Sequence, residues 1–138
     1  MKKGVLRTAL RSGTAVPFCL GAARLLLHLA VGGRYGFFRD ELYFIVCGWR
    51  LDFGYVDQPP LTPLLARLAR LLFGDSLPGL RLLAALAGAA TVVLAGLIAR
   101  RLGGGRGAQA LAAAAVFFVP VLLGFGAMLT PNAFDVLF

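Results

Sequence analysis

The 138-residue chain is 59% hydrophobic and only 14% charged, with a net charge of +8 and a mean hydropathy of +0.84. Soluble domains carry about a quarter of their residues as charges, so this composition excludes an ordinary soluble domain and indicates an integral membrane protein, all-α because a short chain this apolar spans lipid as helices. The positive charge does not point to nucleic acid: no Arg/Lys patch is interleaved with exposed aromatics for base stacking.

The first apolar window, residues 14–31, follows Lys2, Lys3, Arg7 and Arg11 and contains Arg24 and His28 four residues apart, on one helical face. An ionisable group at bilayer depth costs at least about 2.5 kcal/mol. That face is therefore expected to turn into a bundle or wet cavity, where the two side chains satisfy backbone carbonyls or meet substrate. A signal peptide ending at Ala30-Val31-Gly32 is the competing reading, but Arg24 and His28 interrupt its apolar core.

Residues 32–81 form a loop holding most of the chain's six acids, among them Asp40, Glu41, Asp52 and Asp57. In "DELYFIVCGWRL" the two acids favour a helix N-terminus, and Leu42, Ile45, Val46 and Trp49 recur at helical spacing. After Pro59 and Pro60, a second amphipathic helix places Leu61, Leu64, Leu65, Leu68 and Leu72 on one face, with Arg67 and Arg70 off it. Such helices lie in the interface plane, with Trp and Arg at headgroup level.

The second window, 82–99, sets Ala84, Gly88, Val92 and Gly96 along a stripe suited to close packing. Arg100, Arg101 and Arg106 fill a glycine-rich turn, and a third window, 108–127, contains Pro120, an expected kink. Three spans of about 20 residues are thus predicted. The acid-free basic segments put the N-terminus and the second-to-third turn in the cytoplasm. Residues 32–81 are then extracytoplasmic, in a multi-pass protein of the cell membrane. Thr130 and Pro131 read as the start of a fourth helix with Asp135 in its first turns. Ending at Phe138, the chain is expected to be the N-terminal part, 1–138, of one larger polytopic domain.

Two cysteines, Cys19 and Cys47, offer neither a disulfide framework nor metal-ligand spacing, and no Walker or dinucleotide fingerprint is present. No metal ligand is assigned; a divalent ion near Asp40 stays open, unsupported by a ligand cluster.

One membrane helix followed by "RDELY" (Arg39 to Tyr43) and "YVDQPP" (Tyr55 to Pro60) resembles the start of the polytopic C-type glycosyltransferases of the protein O-mannosyltransferase and aminoarabinose transferase group, including bacterial glycosyltransferase family 39. The resemblance implies transfer of a sugar from a polyprenyl-phosphate donor to an acceptor, not identified by the sequence, on the outer side of the membrane. It implies catalytic roles for Asp40, the expected base, and Glu41. Arg39, Tyr43, Tyr55, Asp57, Gln58, Arg67 and Asp135 are then the expected substrate-binding residues.

The chemistry is coherent in its own terms. Glycosyl transfer needs an acid-base group on the attacking oxygen, and a phosphate leaving group is received by cations rather than by a second acid. Adjacent residues on a helix diverge by about 100°, so Asp40 and Glu41 do not both aim at one atom. Glu41 is expected to support the helix start, an effect of about 0.3–1 kcal/mol.

Plainer roles stand beside these: helix capping for Asp40, Glu41 and Asp57, lipid headgroup contact for Arg67 and Arg70, and interface anchoring for Tyr43, Tyr55 and Trp49. Two other functions compete. A transporter or lipid-flippase fragment would place paired charges and broken helices at the midplane, and an inactive membrane interaction protein would keep the helices without the chemistry.

Overall fold

The structure, a computed structural model, describes residues 14–138. Lys2, Lys3, Arg7 and Arg11, on which part of the orientation rests, lie outside the described residues. The described residues form seven helices in order: α1 (Ala15–Val31), α2 (Arg39–Trp49), α3 (Leu61–Phe73), α4 (Leu77–Arg101), α5 (Arg106–Phe118), α6 (Pro120–Ala127) and α7 (Pro131–Asp135). Among the described residues there is no strand.

At the centre is α4, packed against α1, α3, α5, α6 and α7. Ser76 starts it by accepting the Gly79 N–H, with Pro78 in the first turn. Its stripe of Ala84, Gly88, Val92 and Gly96 is buried. Pro17 of α1 lies against Gly96, and Val93 against Gly21 of α1. Helix axes approach this closely only where side chains are small.

Among the single helices of the described residues, α4 is the one long and apolar enough to cross a membrane; α1, at 17 residues, is shorter but apolar. The third window does not form one kinked helix. It breaks at Val119 into α5 and α6, which meet at 64°, because Pro120 cannot donate to the carbonyl four residues earlier and its ring crowds the preceding turn.

Between the first two apolar helices, α2 and α3 pack back to back through small residues. Gly48 of α2 sits against the backbone of Pro63 and Arg67, and the buried face of α3 is Thr62, Pro63, Ala66 and Ala69. The apolar stripes read from periodicity face mainly outward: Leu42, Val46 and Trp49 on α2 and Leu61, Leu64, Leu68 and Leu72 on α3 are exposed. The smaller residues of the two helices thus meet protein, and their leucines are left facing away from it. Beneath them, Phe44, Ala66, Ala69, Leu80, Ala84, Leu129 and Phe134 form one core, joining α2 and α3 to α4 and to the segment after α6.

Candidate active site

Asp40 and Glu41 occupy the first turn of α2 and have opposite surroundings. Glu41 is 0% exposed. Its Oε1 accepts from Arg81 Nε at 2.8 Å and from the Leu129 N–H at 3.1 Å. Its Oε2 accepts from Arg81 Nη2 at 2.7 Å and from the Phe38 N–H at 2.9 Å. The last bond is the reach of a third helical residue back to the residue that caps its helix. Burial by itself raises the pKa of Glu41, but the hydrogen bonds from Arg81 and from the two backbone N–H groups outweigh it and hold the carboxyl below its ordinary value.

Arg81, in the first turns of α4, is 6% exposed. Beyond its two-pronged grip on Glu41 it donates to the carbonyls of Gly32 at 2.7 Å, Tyr35 at 3.2 Å and Gly36 at 2.8 Å. One guanidinium therefore binds the end of α1, the 32–38 link, α2 and α4 together. This residue escaped the sequence reading. The available signal was a cation at the N-terminal edge of a long apolar window, but its partner lies 40 residues away. Removing one member of such a pair costs about 3–5 kcal/mol, well above the helix-start effect expected for Glu41.

Asp40 keeps its carboxylate accessible. Its side chain is 42% exposed and is bonded only to the neighbouring Arg39 Nε, at 3.2 Å, from a side chain that is itself 92% exposed. Tyr43, one turn on and on the same face, donates its O–H to Asp57 Oδ1 at 2.7 Å. That bond pushes the Tyr43 pKa up to about 12, so the phenol stays a donor.

The loop between α2 and α3 is folded onto the end of α2. The Tyr55 hydroxyl lies 2.9 Å from the carbonyls of both Cys47 and Arg50 and accepts the Asp52 N–H at 3.2 Å, taking up carbonyls left open where the helix stops. The Tyr55 N–H in turn donates to the Gln58 carbonyl at 3.1 Å. The Gln58 amide nitrogen is buried without a hydrogen-bond partner. In this way the two motifs meet: Arg39, Asp40, Tyr43 and Asp57 share one surface, with Tyr55 and Gln58 shaping the loop that carries Asp57.

Two expected binding residues stand apart. Arg67 is exposed beside Gly48, about 12 Å along α2 from Asp40, in a groove of about 320 Å³ with Ile45, Trp49, Arg70 and Leu71. In that groove Arg70 stacks on Trp49 at 5.3 Å and pairs with Asp75 at 2.6 Å. Asp135 is exposed on α7, whose Ala133 and Phe134 lie in the same core as Phe44. Among the described residues no three His, Cys, Asp or Glu side chains form a metal-binding group.

The site thus offers one ionised carboxylate spent on structure beside another left open at the surface. Comparison with curated proteins and with solved structures gives no match. Residues 57–138 match the family described as dolichyl-phosphate-mannose-protein mannosyltransferase. The match takes in Asp57, Gln58, α3, Arg81 and everything to Phe138, with Asp40 and Glu41 preceding it. With more than half of its length matched, the chain belongs to this family of C-type membrane glycosyltransferases.

Proposed function

We propose that this protein transfers a sugar from a polyprenyl-phosphate donor to an acceptor at the extracytoplasmic membrane surface, with Asp40 as the base. In this reading residues 1–138 are the N-terminal part of one polytopic domain. Its three spans are α1, α4 and the bent α5–α6 pair, with the N-terminus cytoplasmic and α2 and α3 on the outer surface. The observation that carries it is the division of labour in one helical turn: Glu41 has both oxygens occupied, while Asp40, next to it, is open.

Asp40 takes the proton from the acceptor as its oxygen attacks the anomeric carbon. The bond to the donor phosphate breaks, and the phosphate leaves with the electron pair. Arg39, Tyr43 and Asp57 orient sugar and acceptor, with Tyr55 and Gln58 holding the loop that carries Asp57, and Asp135 adds an acid from α7. Arg67 of α3, set apart from Asp40 beside Gly48, suits the lipid phosphate. Membership of the family supports a donor of this type in general; the identity of sugar and acceptor is a matter for the assay.

The test is sugar transfer from a polyprenyl-phosphate donor by the full-length protein, with donor binding and expression as controls. Asp40→Asn keeps the shape and removes the base, so turnover is expected to fall about 10²- to 10⁴-fold with donor binding retained. Near-normal turnover rejects Asp40 as base. Topology is tested after replacing Cys19 and Cys47 with alanine: an impermeant thiol reagent should label Gly54→Cys and not Gly105→Cys in intact cells. Both glycines have open space where a side chain would go.

A transporter or flippase reading gains one observation, the break between α5 and α6 with Arg24 beside it. Under that reading Asp40→Asn would leave lipid translocation in vesicles intact and no sugar transfer would be found.

A further inference from the structure

Arg24 is the least exposed cation of the chain's described part, at 1%, and it faces the break between α5 and α6. In an unbroken helix the Val116 carbonyl accepts from the N–H of residue 120; proline has none. Arg24 supplies the missing donor. Its Nη1 donates to the Val116 carbonyl at 3.0 Å and lies 3.4 Å from that of Phe117, and its Nη2 donates to Leu122 on the far side of the break.

The ion pairs among the described residues are Arg39–Asp40, Arg70–Asp75 and Arg81–Glu41, none of which includes Arg24. Its charge is met instead by the carbonyl end of α5, the negative pole of that helix. Glycines make the room. A β-carbon at Gly88 of α4 would stand 3.3 Å from Arg24 Nε, and one at Gly126 of α6 would stand 2.7 Å from His28 Nε2. Arg24 and His28, four residues apart on α1, therefore meet Leu122 and Gly126, four residues apart on α6.

Two residues beyond α6, the Leu129 N–H reaches Glu41 Oε1 at 3.1 Å, and the Leu129 side chain is 0% exposed in the core under α2. The direction of α6 therefore decides whether this N–H arrives at Glu41.

We infer that Arg24 is a positioning residue, a guanidinium staple that stands in for the N–H missing at Pro120, sets the bend between α5 and α6 and so delivers Leu129 to the carboxylate beside Asp40. Its effect on sugar transfer rests on the function proposed above; the staple itself does not.

The experiment is a double-mutant cycle of Arg24→Gln and Pro120→Ala in the full-length protein without Cys19 and Cys47. Spin labels at Leu111→Cys on α5 and Val136→Cys after α7 report the bend. A single narrow distance is expected for the parent and a broadened one for Arg24→Gln. In the Pro120→Ala background, where residue 120 regains its N–H, Arg24→Gln should produce no further change. An unchanged distance in Arg24→Gln, or an equal change in both backgrounds, overturns the staple. If Arg24→Gln does not accumulate, the double variant is expected to accumulate like Pro120→Ala alone, and loss of both alike overturns it too.

For transfer, Arg24→Gln is expected to lower kcat about 10²-fold, as a misplacement of about 1 Å in a catalytic group does, with little change in donor KM. A normal kcat with a broadened distance rejects the link to Asp40. An intact distance cycle with no transfer by the parent protein itself rejects the enzyme assignment and leaves the staple standing.

Discussion

Two arginines are buried among the described residues, Arg81 and Arg24, and they are neutralised in different ways. Arg81, near the N-terminal end of α4, meets a carboxylate and three carbonyls of the 32–36 turn. Arg24, within α1, meets only the carbonyls at the α5–α6 break. The difference follows from position. At the edge of the bundle an acid can be brought in on another helix, as Glu41 is in the first turn of α2, and the ion pair then ties separate segments together. Within an apolar helix bundle a second charged side chain carries its own insertion cost, whereas a proline supplies unsatisfied acceptors on the spot. Each arginine thus rests on a defect nearby: the irregular turn after α1 for one, the broken helix for the other.

The Arg81 site should be the more fragile to loss of one partner. Glu41→Gln or Arg81→Met leaves a buried charge without its counterpart, and either is expected to cost about 3–5 kcal/mol in detergent unfolding. Replacing both, as Glu41→Leu with Arg81→Met, should cost markedly less than the sum of the two, since neither charge is then stranded. Additive losses would show that the carbonyl contacts of Arg81, rather than the pair, hold this end together.

The contact between α1 and α6 can be probed with glycines. Gly126→Ala drives a methyl group into His28, for an expected loss of about 1–3 kcal/mol from overpacking. Gly124→Ala, on the same helix with nothing within 4 Å of the added carbon, should be neutral or stabilise by about 0.5–1 kcal/mol. Equal effects would mean that α1 and α6 are not in register as described.

Acid should separate the two arginines further, with the smallest effect. The Glu41 carboxyl is held below its ordinary 4.5, so its contribution is complete above that value and is lost as pH falls through the lowered one. In thermal unfolding, the difference between the parent protein and Glu41→Gln should shrink as pH falls below the ordinary carboxyl value. The Arg24 staple contains no carboxylate, so Arg24→Gln should keep its deficit over the same range.

Much of the helical layout was open to inspection along the chain. The first window, 14–31, coincides with α1 to within a residue, the second lies inside α4, and the two amphipathic segments are α2 and α3. Thr130 and Pro131 do open α7. Pro120 announced a disturbance, but not that it would divide the helix at 64°, because the freed carbonyls are met by Arg24, nearly a hundred residues earlier in the chain. The candidate site was legible as two motifs and not as a surface. Tyr43 and Asp57 are joined across 14 residues, and nothing in either motif names the other. The role of Arg81 was hidden for the same reason, compounded by its place at the edge of a window that reads as scaffold.

What the sequence determined by itself is local: which stretches are apolar enough to seek lipid, where prolines stop a helix, and that two acids begin α2. These depend on hydrophobic length, backbone donors and helix-end charge, all contained within a few residues. Only the tertiary structure decided which of two adjacent carboxylates would be consumed and which left free. Residues 40 and 41 point in directions about 100° apart, and the packing of α4 and Leu129 put a guanidinium and an N–H on one side only, leaving Asp40 to face outward.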